Sequence, residues 1–320
     1  MILCYHGVSH DDEHEWDSSF YITQQRLRQR LQALRDGGYA ILSLAEGTRR
    51  LYDGTLPERS VSITFDDGAT DFEARALPVL REFNAPATLY LSTFYCFVRL
   101  PVFDPILSYV IWKGRESGAD LRAVLSANEP LPVADADDRV RAWALARELA
   151  VHEKFSAEQK DELVSRIAQA LKVDYAMLKQ RGILSLMSPD VVRALPRDLV
   201  DVQLHTHRHR TPRDEVLFKR EVTDNVDRIT DLRGPAELIH FCYPSGDYHG
   251  EFLPWLRDCG VQYATTCIPE LASRESDPLL LPRLVDTMPQ SQLQFESWLS
   301  GFAMVLPRKR EFRLDAARLQ

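Results

Sequence analysis

Apolar and polar positions alternate between two periods over the first 93 residues. Ile2-Leu3-Cys4-Tyr5 reads as a short buried strand. Behind it, Thr23 is a helix cap for a stripe of Leu27, Leu31 and Leu34, stopped by Gly37-Gly38. A strand is expected near residues 39–42. The next one, Val61-Ser62-Ile63-Thr64-Phe65, runs straight into Asp66-Asp67-Gly68. Phe72, Ala76, Leu80 and Phe83 mark one face of the following helix, and residues 87–92 form another strand. This β-α-β-α-β order predicts an α/β layer or barrel with parallel strands.

From about residue 94 to residue 183 the pattern becomes almost wholly helical. Residues 139–152 make a plausible helix, and Ser156-Ala157-Glu158-Gln159 is a capping box leading into Leu163, Ile167 and Leu171. Alternation then resumes. Ser188-Pro189 opens a helix with proline at its first position, and strands are expected near 200–204, 238–243, 262–266 and 279–285. Because the alternation resumes, the segment reads as an insertion rather than an independent domain. The expected organisation is a barrel from residues 1–93 and 184–320, with residues 94–183 as a helical lid or cleft wall.

Composition narrows the function classes. The chain has 320 residues, 45% hydrophobic and 27% charged, which excludes collagen-like and largely disordered chains. A net charge of −8 argues against a nucleic-acid partner. No stretch reaches the roughly 20 apolar residues of a membrane-spanning helix. The N-terminus has no basic region of the kind that opens a signal peptide. The five cysteines, Cys4, Cys96, Cys242, Cys259 and Cys267, are scattered without a CxxC pair, which fits free thiols in a reducing compartment. A cytoplasmic location is therefore expected.

Two clusters carry chemistry. Asp66 and Asp67 end a hydrophobic strand, where barrels and open α/β sheets place reactive residues. Adjacent acids in such a turn point in different directions, so one can bind a cation while the other handles a proton. Alone, Asp-Asp-Gly would read as an ordinary solvated turn. The second cluster, His205-Thr206-His207-Arg208-His209, also follows an apolar strand. His205 and His209 have a spacing that brings two imidazoles to one metal if the segment coils, with His207 and Arg208 left on the surface. With Asp67 they would form a His-His-carboxylate set with open positions, suited to zinc and to other divalent ions.

These motifs resemble those of the NodB-type polysaccharide deacetylases, carbohydrate esterase family four. The resemblance also covers Leu3-Cys4-Tyr5-His6-Gly7-Val8, Ala85-Pro86-Ala87-Thr88-Leu89-Tyr90 and Phe241-Cys242-Tyr243-Pro244-Ser245-Gly246. It implies a distorted (β/α) barrel and metal-dependent removal of acetyl groups from an acetamido sugar, oligosaccharide or carrier-linked glycan. It further implies that Asp67, His205 and His209 bind a divalent metal, zinc being expected, and that Asp66 is the catalytic base. A backbone N–H near Phe94 or Tyr95 would help hold the oxyanion.

Two departures stand out. Cys242 occupies the position where the family carries an arginine that contacts the catalytic aspartate. The late Leu-x-His motif, source of the general acid, has no counterpart, since no histidine follows His249. His6, at the end of the first strand, is the first candidate for the acid and His249 the second. Arg283, at the end of a late strand, is the candidate to replace the arginine. His10, His14, His152 and His240 lack ligand spacing, and Trp112, Trp143 and Trp255 read as packing. Tyr243 and Trp255 flank the third motif and are weighed as sugar platforms.

Two competing functions stand beside deacetylation: an amide or imide hydrolase on a non-sugar substrate, because a fold does not fix its substrate, and a carbohydrate-binding pseudoenzyme that kept the cleft and lost the acid. At the C-terminus, Leu293, Phe295, Trp298, Leu299, Phe302, Val305 and Leu306 recur at helical spacing. Arg308-Lys309-Arg310, Arg313 and Arg318 follow. That pattern suits a peripheral membrane contact, although a final helix packed on a sheet carries the same stripe and is the simpler reading.

Overall fold

The computed structural model describes residues 1–305. Eight parallel strands make the central sheet: β1 (Ile2–Tyr5), β2 (Ala40–Ile41), β3 (Ser60–Phe65), β4 (Ala87–Leu91), β5 (Val200–Leu204), β6 (His240–Cys242), β7 (Tyr263–Thr265) and β8 (Leu284–Val285). Their order is β8-β1-β3-β4-β5-β6-β7, with β2 paired to β3. The Thr265–Leu281 bridge and further backbone bonds, Leu281 N to Ala264 O at 2.8 Å, Thr266 N to Leu281 O at 2.9 Å and Arg283 N to Ile268 O at 3.1 Å, link β7 to the segment leading into β8, and β8 pairs with β1 through Leu3–Leu284 and Cys4–Val285. The result is a distorted (β/α) barrel whose seam rests on two very short ladders.

The strand alternation explains the barrel's two faces. Leu3, Tyr5, Ile63, Phe65, Leu89, Leu91, Val202, Leu204 and Phe241 belong to the main apolar core. The intervening positions, including Cys4, Thr64, Thr88, Tyr90, Gln203 and Cys242, are buried on the opposite face, in the lumen. The lumen is thus largely polar, and Arg283 runs through it with no solvent exposure.

Three differences from the sequence expectations have local causes. The helix after Asp66-Asp67-Gly68 begins as a π-turn, Phe72–Ala76, before the α-helix Leu77–Phe83. Pro78 explains this: it has no N–H to donate and its ring crowds the carbonyl one turn back. The strand expected over 279–285 shrinks to Leu284–Val285, because Pro282 breaks the ladder. A 19-residue helix, Glu215–Arg233, was not anticipated. Its stripe of Phe218, Val222, Ile229 and Leu232 is interrupted by buried Glu221 and Asn225, and exposed Val216 and Leu217 blur its period.

Residues between 94 and 183 form helices around a second apolar core that includes Ile106, Leu107, Val110, Leu163, Val164 and Ile167. Trp16 and Tyr21 from the barrel pack against it. Polar ties fix it beside the Asp66-Asp67-Gly68 turn: Thr70 Oγ1 donates to the Gly182 carbonyl at 2.6 Å, and just past the segment's end Met187 N donates to Gly68 O at 3.0 Å. Lys113 Nζ lies 2.8 Å from Asp12 Oδ2, and Tyr109 hydroxyl donates to Asp12.

In the last described helices Phe295 is fully buried while Leu293 is 76% and Phe302 59% exposed. Part of the apolar stripe therefore packs on the barrel. Leu306, the run Arg308-Lys309-Arg310, Arg313 and Arg318 lie outside the described residues. Among the described residues no helix is long and apolar enough to cross a membrane.

Candidate active site

Parallel pairing puts the carboxyl ends of β1, β3, β4, β5 and β6 on one rim. His6 follows β1, Asp66 and Asp67 follow β3, and His205 follows β5. Asp67 sits at φ 69° and Gly68 at φ 91°. At position 68 a Cβ would come within 2.3 Å of Leu91 Cδ1, so only glycine makes this turn. The same turn aims Asp67 across the rim towards β5.

The His205–His209 segment does coil. Thr206 and His209 both adopt left-handed backbone, at φ 61° and 55°, and Arg210 N donates to Thr206 Oγ1 at 3.1 Å. Asp67 Oδ1 then lies 3.1 Å from His205 Nε2 and 3.2 Å from His209 Nε2. His205 Nδ1 lies 2.9 Å from the Cys242 carbonyl, which can only accept. Nδ1 therefore carries a proton, and in the neutral ring Nε2 turns its lone pair on the Asp67 carboxylate. An imidazole nitrogen and a carboxylate oxygen 3.1 Å apart can be joined by a proton on the ring or by a shared cation. One carboxylate oxygen and two imidazole nitrogens, with the histidine tautomer fixed by an outer carbonyl, fit a divalent ion of the zinc type. Burial would lower the His209 imidazole, but the Asp67 carboxylate overrides it and raises its pKa.

Asp66 faces the lumen. Arg283 Nη1 donates to its Oδ1 and Nη2 to its Oδ2, both at 2.7 Å, and both residues are buried. Burial alone would raise Asp66; the guanidinium overrides it and holds the carboxyl well below the usual carboxylate range. Cys4 and Cys242 thiols donate weakly to Oδ2 at 3.5 and 3.4 Å. Arg283 reaches this point from before β8, not from a strand end. Its long side chain runs up the lumen, donating on the way to Thr266 O and Thr64 Oγ1, each at 3.0 Å.

His6 Nε2 stands 3.8 Å from Asp66 Oδ2, with the side chain 17% exposed and the ring edge-on to Phe20. Its Nδ1 is buried without a partner. His249 instead lies 3.5 Å from Asp247 and edge-on to Phe252. Tyr243 is buried with its hydroxyl on Leu279 O, and Trp255 packs on Phe218 and Phe252, so neither is an open sugar platform. The Phe94 N–H is taken by the His207 carbonyl at 2.8 Å, which removes it as an oxyanion donor. His207, expected on the surface, is buried against Thr93 Oγ1 at 2.8 Å.

Three supporting residues escaped the sequence reading. Asn225 accepts from His205 N at 2.9 Å and donates to Leu91 O and Thr93 Oγ1, each at 3.0 Å, tying the second motif to β4. Glu221, one turn earlier, accepts from Arg208 N at 2.9 Å and Arg210 Nε at 2.7 Å. Their signal is an Asn and a Glu four apart inside an apolar stripe. Asn225→Ala is expected to cost about 1–3 kcal/mol by orphaning buried groups. It should also weaken cation affinity by about 10–100-fold by loosening His205; thermal melts and zinc titration read the two.

The third is Asp71, buried with Val8 N donating to Oδ1 at 3.2 Å. Burial, with Glu13 and Asp67 nearby, pushes its carboxyl up to about 8. A raised folded pKa means that its contribution to stability is present below the unfolded value of about 4. That contribution is lost as pH rises through about 8. Asp71→Asn keeps an acceptor for Val8 but cannot ionise. Its melting temperature should therefore fall less than the parent's between about pH 5 and pH 8.

Comparison with known proteins bears out the resemblance read from the motifs. Residues 53–96 match the family model for polysaccharide deacetylase. The poly-beta-1,6-N-acetyl-D-glucosamine N-deacetylase of Escherichia coli (strain K12) is 34% identical over 89 residues, 27% of this chain and only 13% of that relative's length. Among solved structures, the Streptococcus pyogenes deacetylase PplD, in complex with acetate, superposes with a TM-score of 0.61 at 18% identity, over 93% of this chain and 96% of that one. IcaB from Ammonifex degensii gives 0.59 at 17%, with the same 93% and 96% coverage. These likenesses establish the shared barrel fold.

Proposed function

We propose that this chain is a hydrolase that removes N-acetyl groups from an acetamido sugar, oligosaccharide or carrier-linked glycan, using a divalent cation held by Asp67, His205 and His209. The observation that carries the reading is the convergence of two imidazole Nε2 atoms and a carboxylate oxygen beside a second, separately held carboxylate. The matched relatives supply the substrate class, since the Escherichia coli protein is a poly-N-acetylglucosamine deacetylase by name.

When bound, the cation polarises the acetyl carbonyl and acidifies a water. Asp66 takes the proton that this water gives up. Among the hydrogen bonds described, its Oδ1 accepts only from Arg283, leaving a second lone-pair direction for that proton. Arg283 keeps Asp66 ionised and fixes its plane, doing from the barrel lumen what the family's arginine does from the Cys242 position. His6, beside Asp66 and partly open to solvent, hands a proton to the departing amine in place of the absent late histidine.

The test is acetate release from a panel of acetamido sugars and oligosaccharides, before and after chelation. Release that disappears with chelation and returns with zinc supports the reading. A retained cation without release from any acetamido substrate would leave a glycan-binding protein, and turnover confined to cyclic amides would make it an imide hydrolase.

A further inference from the structure

A second set of metal-binding atoms lies beside the first and shares no residue with it. Cys4 and His6 are two positions apart at the end of β1, so both side chains fall on the lumen side of that strand. Cys4 Sγ lies 3.5 Å from Asp66 Oδ2, and His6 Nε2 lies 3.8 Å from the same oxygen. The donor atoms of the three residues are all within 4.8 Å of one another. A tetrahedral cation makes bonds of about 2.3 Å to sulfur and about 2.0–2.1 Å to nitrogen and oxygen. Those bonds set its sulfur and oxygen ligands about 3.5 Å apart and its nitrogen and oxygen ligands about 3.3 Å apart. Cys4 and Asp66 already stand at the first spacing. A shift of His6 Nε2 by about half an ångström reaches the second.

Asp66, His205 and Cys242 also cluster, but their donor atoms are committed. His205 Nε2 faces Asp67, its Nδ1 lies 2.9 Å from the Cys242 carbonyl, and Arg283 Nη2 stands 3.0 Å from Cys242 Sγ. His6 differs. Its Nδ1 has no hydrogen-bond partner among the described residues, so no bond to that nitrogen fixes the tautomer, and Nε2 is free to turn a lone pair on a cation.

We propose that Cys4, His6 and Asp66 form an inhibitory site for a second, thiophilic divalent cation, zinc or cadmium. The cation enters past His6, whose side chain is 17% exposed, since Cys4 is fully buried. Binding exchanges the thiol proton, given to Asp66 in the free site, for a sulfur–metal bond, and the proton leaves to solvent. A thiolate ligand selects zinc and cadmium over magnesium and manganese, which prefer oxygen. The effect on turnover rests on the proposed hydrolysis. A cation on Oδ2 lowers the basicity of the carboxylate whose Oδ1 takes the proton, and it occupies the His6 nitrogen that gives one. Arg283, with Nη2 2.7 Å from Oδ2, repels this cation, and so does an ion at Asp67. Burial also holds the proton on Cys4. The site is therefore the weaker of the two and fills only once the Asp67 site is saturated.

The experiment titrates the zinc-loaded full chain with further zinc, and in parallel with cadmium. Equilibrium dialysis counts bound metal, the ultraviolet sulfur-to-cadmium charge-transfer band reports a thiolate ligand, and acetate release reports turnover. The expected result is one further cation, a thiolate band with cadmium, and acetate release lowered by about tenfold or more, with magnesium and manganese at the same excess causing no loss. In Cys4→Ser and Cys4→Ala the band and the inhibition should vanish, each measured against that variant's own starting activity, whereas Cys242→Ser keeps both. His6→Gln should lose the further cation in dialysis, a readout that needs no turnover. A band that survives in both Cys4 variants, or that disappears in Cys242→Ser, would overturn the proposal. So would a parent that binds no further cation, or excess zinc that inhibits the Cys4 variants as strongly as the parent. If the parent releases no acetate, the hydrolysis reading fails, while dialysis and the band still decide this one.

Discussion

In Asp66→Asn, acetate release should fall by about 10²–10⁴-fold, the range expected when a positioned proton acceptor is lost. The structure adds a second consequence. The sequence alone suggests that this change leaves the fold untouched, but Asp66 is the buried partner of a fully buried guanidinium, joined to it by two bonds of 2.7 Å. A neutral amide would leave Arg283 uncompensated, so the variant should also lose about 3–5 kcal/mol of stability. The two losses separate in the double variant Asp66→Asn/Arg283→Met. Removing both charges should restore most of the stability, while acetate release stays as low as in the single variant. Recovery of turnover in the double variant would remove Asp66 as the base.

Arg283→Met carries the other large effect. It strands a buried carboxylate, and the expected cost is again about 3–5 kcal/mol near neutral pH. Its pH dependence has a definite sign. In the parent the folded Asp66 is held below its unfolded value of about 3.9, so its contribution is present above that pH and is lost as pH falls. Without the guanidinium, burial is opposed only by the weaker pull of His6 and His205 and by two thiol donors, so the folded pKa rises and the stability that Asp66 contributes above its unfolded value is lost. Melting temperatures of chelator-treated protein, followed from about pH 3 to pH 8, should converge for parent and variant at the acid end and diverge towards neutrality. Parallel curves would show that Arg283 does not set the ionisation of Asp66.

Much of this site was legible in the sequence because it is built from strand ends. A hydrophobic run of four to six residues followed by Asp-Asp-Gly, or by two histidines at ligand spacing, gives both the strand and the residue that tops it. Parallel order then collects those tops on one rim. Arg283 was legible only as a candidate, since its role depends on a side chain crossing the lumen from before β8, and Pro282 hides where the strand begins. Glu221 and Asn225 were invisible for a different reason. A sequence pattern scores buried polar residues as breaks in an apolar face, whereas here they are why that face exists, holding Arg208, Arg210 and His205 in place. His207 misled in the same way: a polar side chain beside a surface loop is buried because Thr93 offers it a partner.

The central claim is that Asp67, His205 and His209 share one cation. The most direct measurement is an anomalous difference map collected at the zinc absorption edge from crystals grown with zinc. The account predicts one strong peak about 2.0–2.2 Å from an Asp67 carboxylate oxygen, His205 Nε2 and His209 Nε2. A map without a peak there at full zinc occupancy elsewhere, or with the three side chains turned away from a common point, would contradict it.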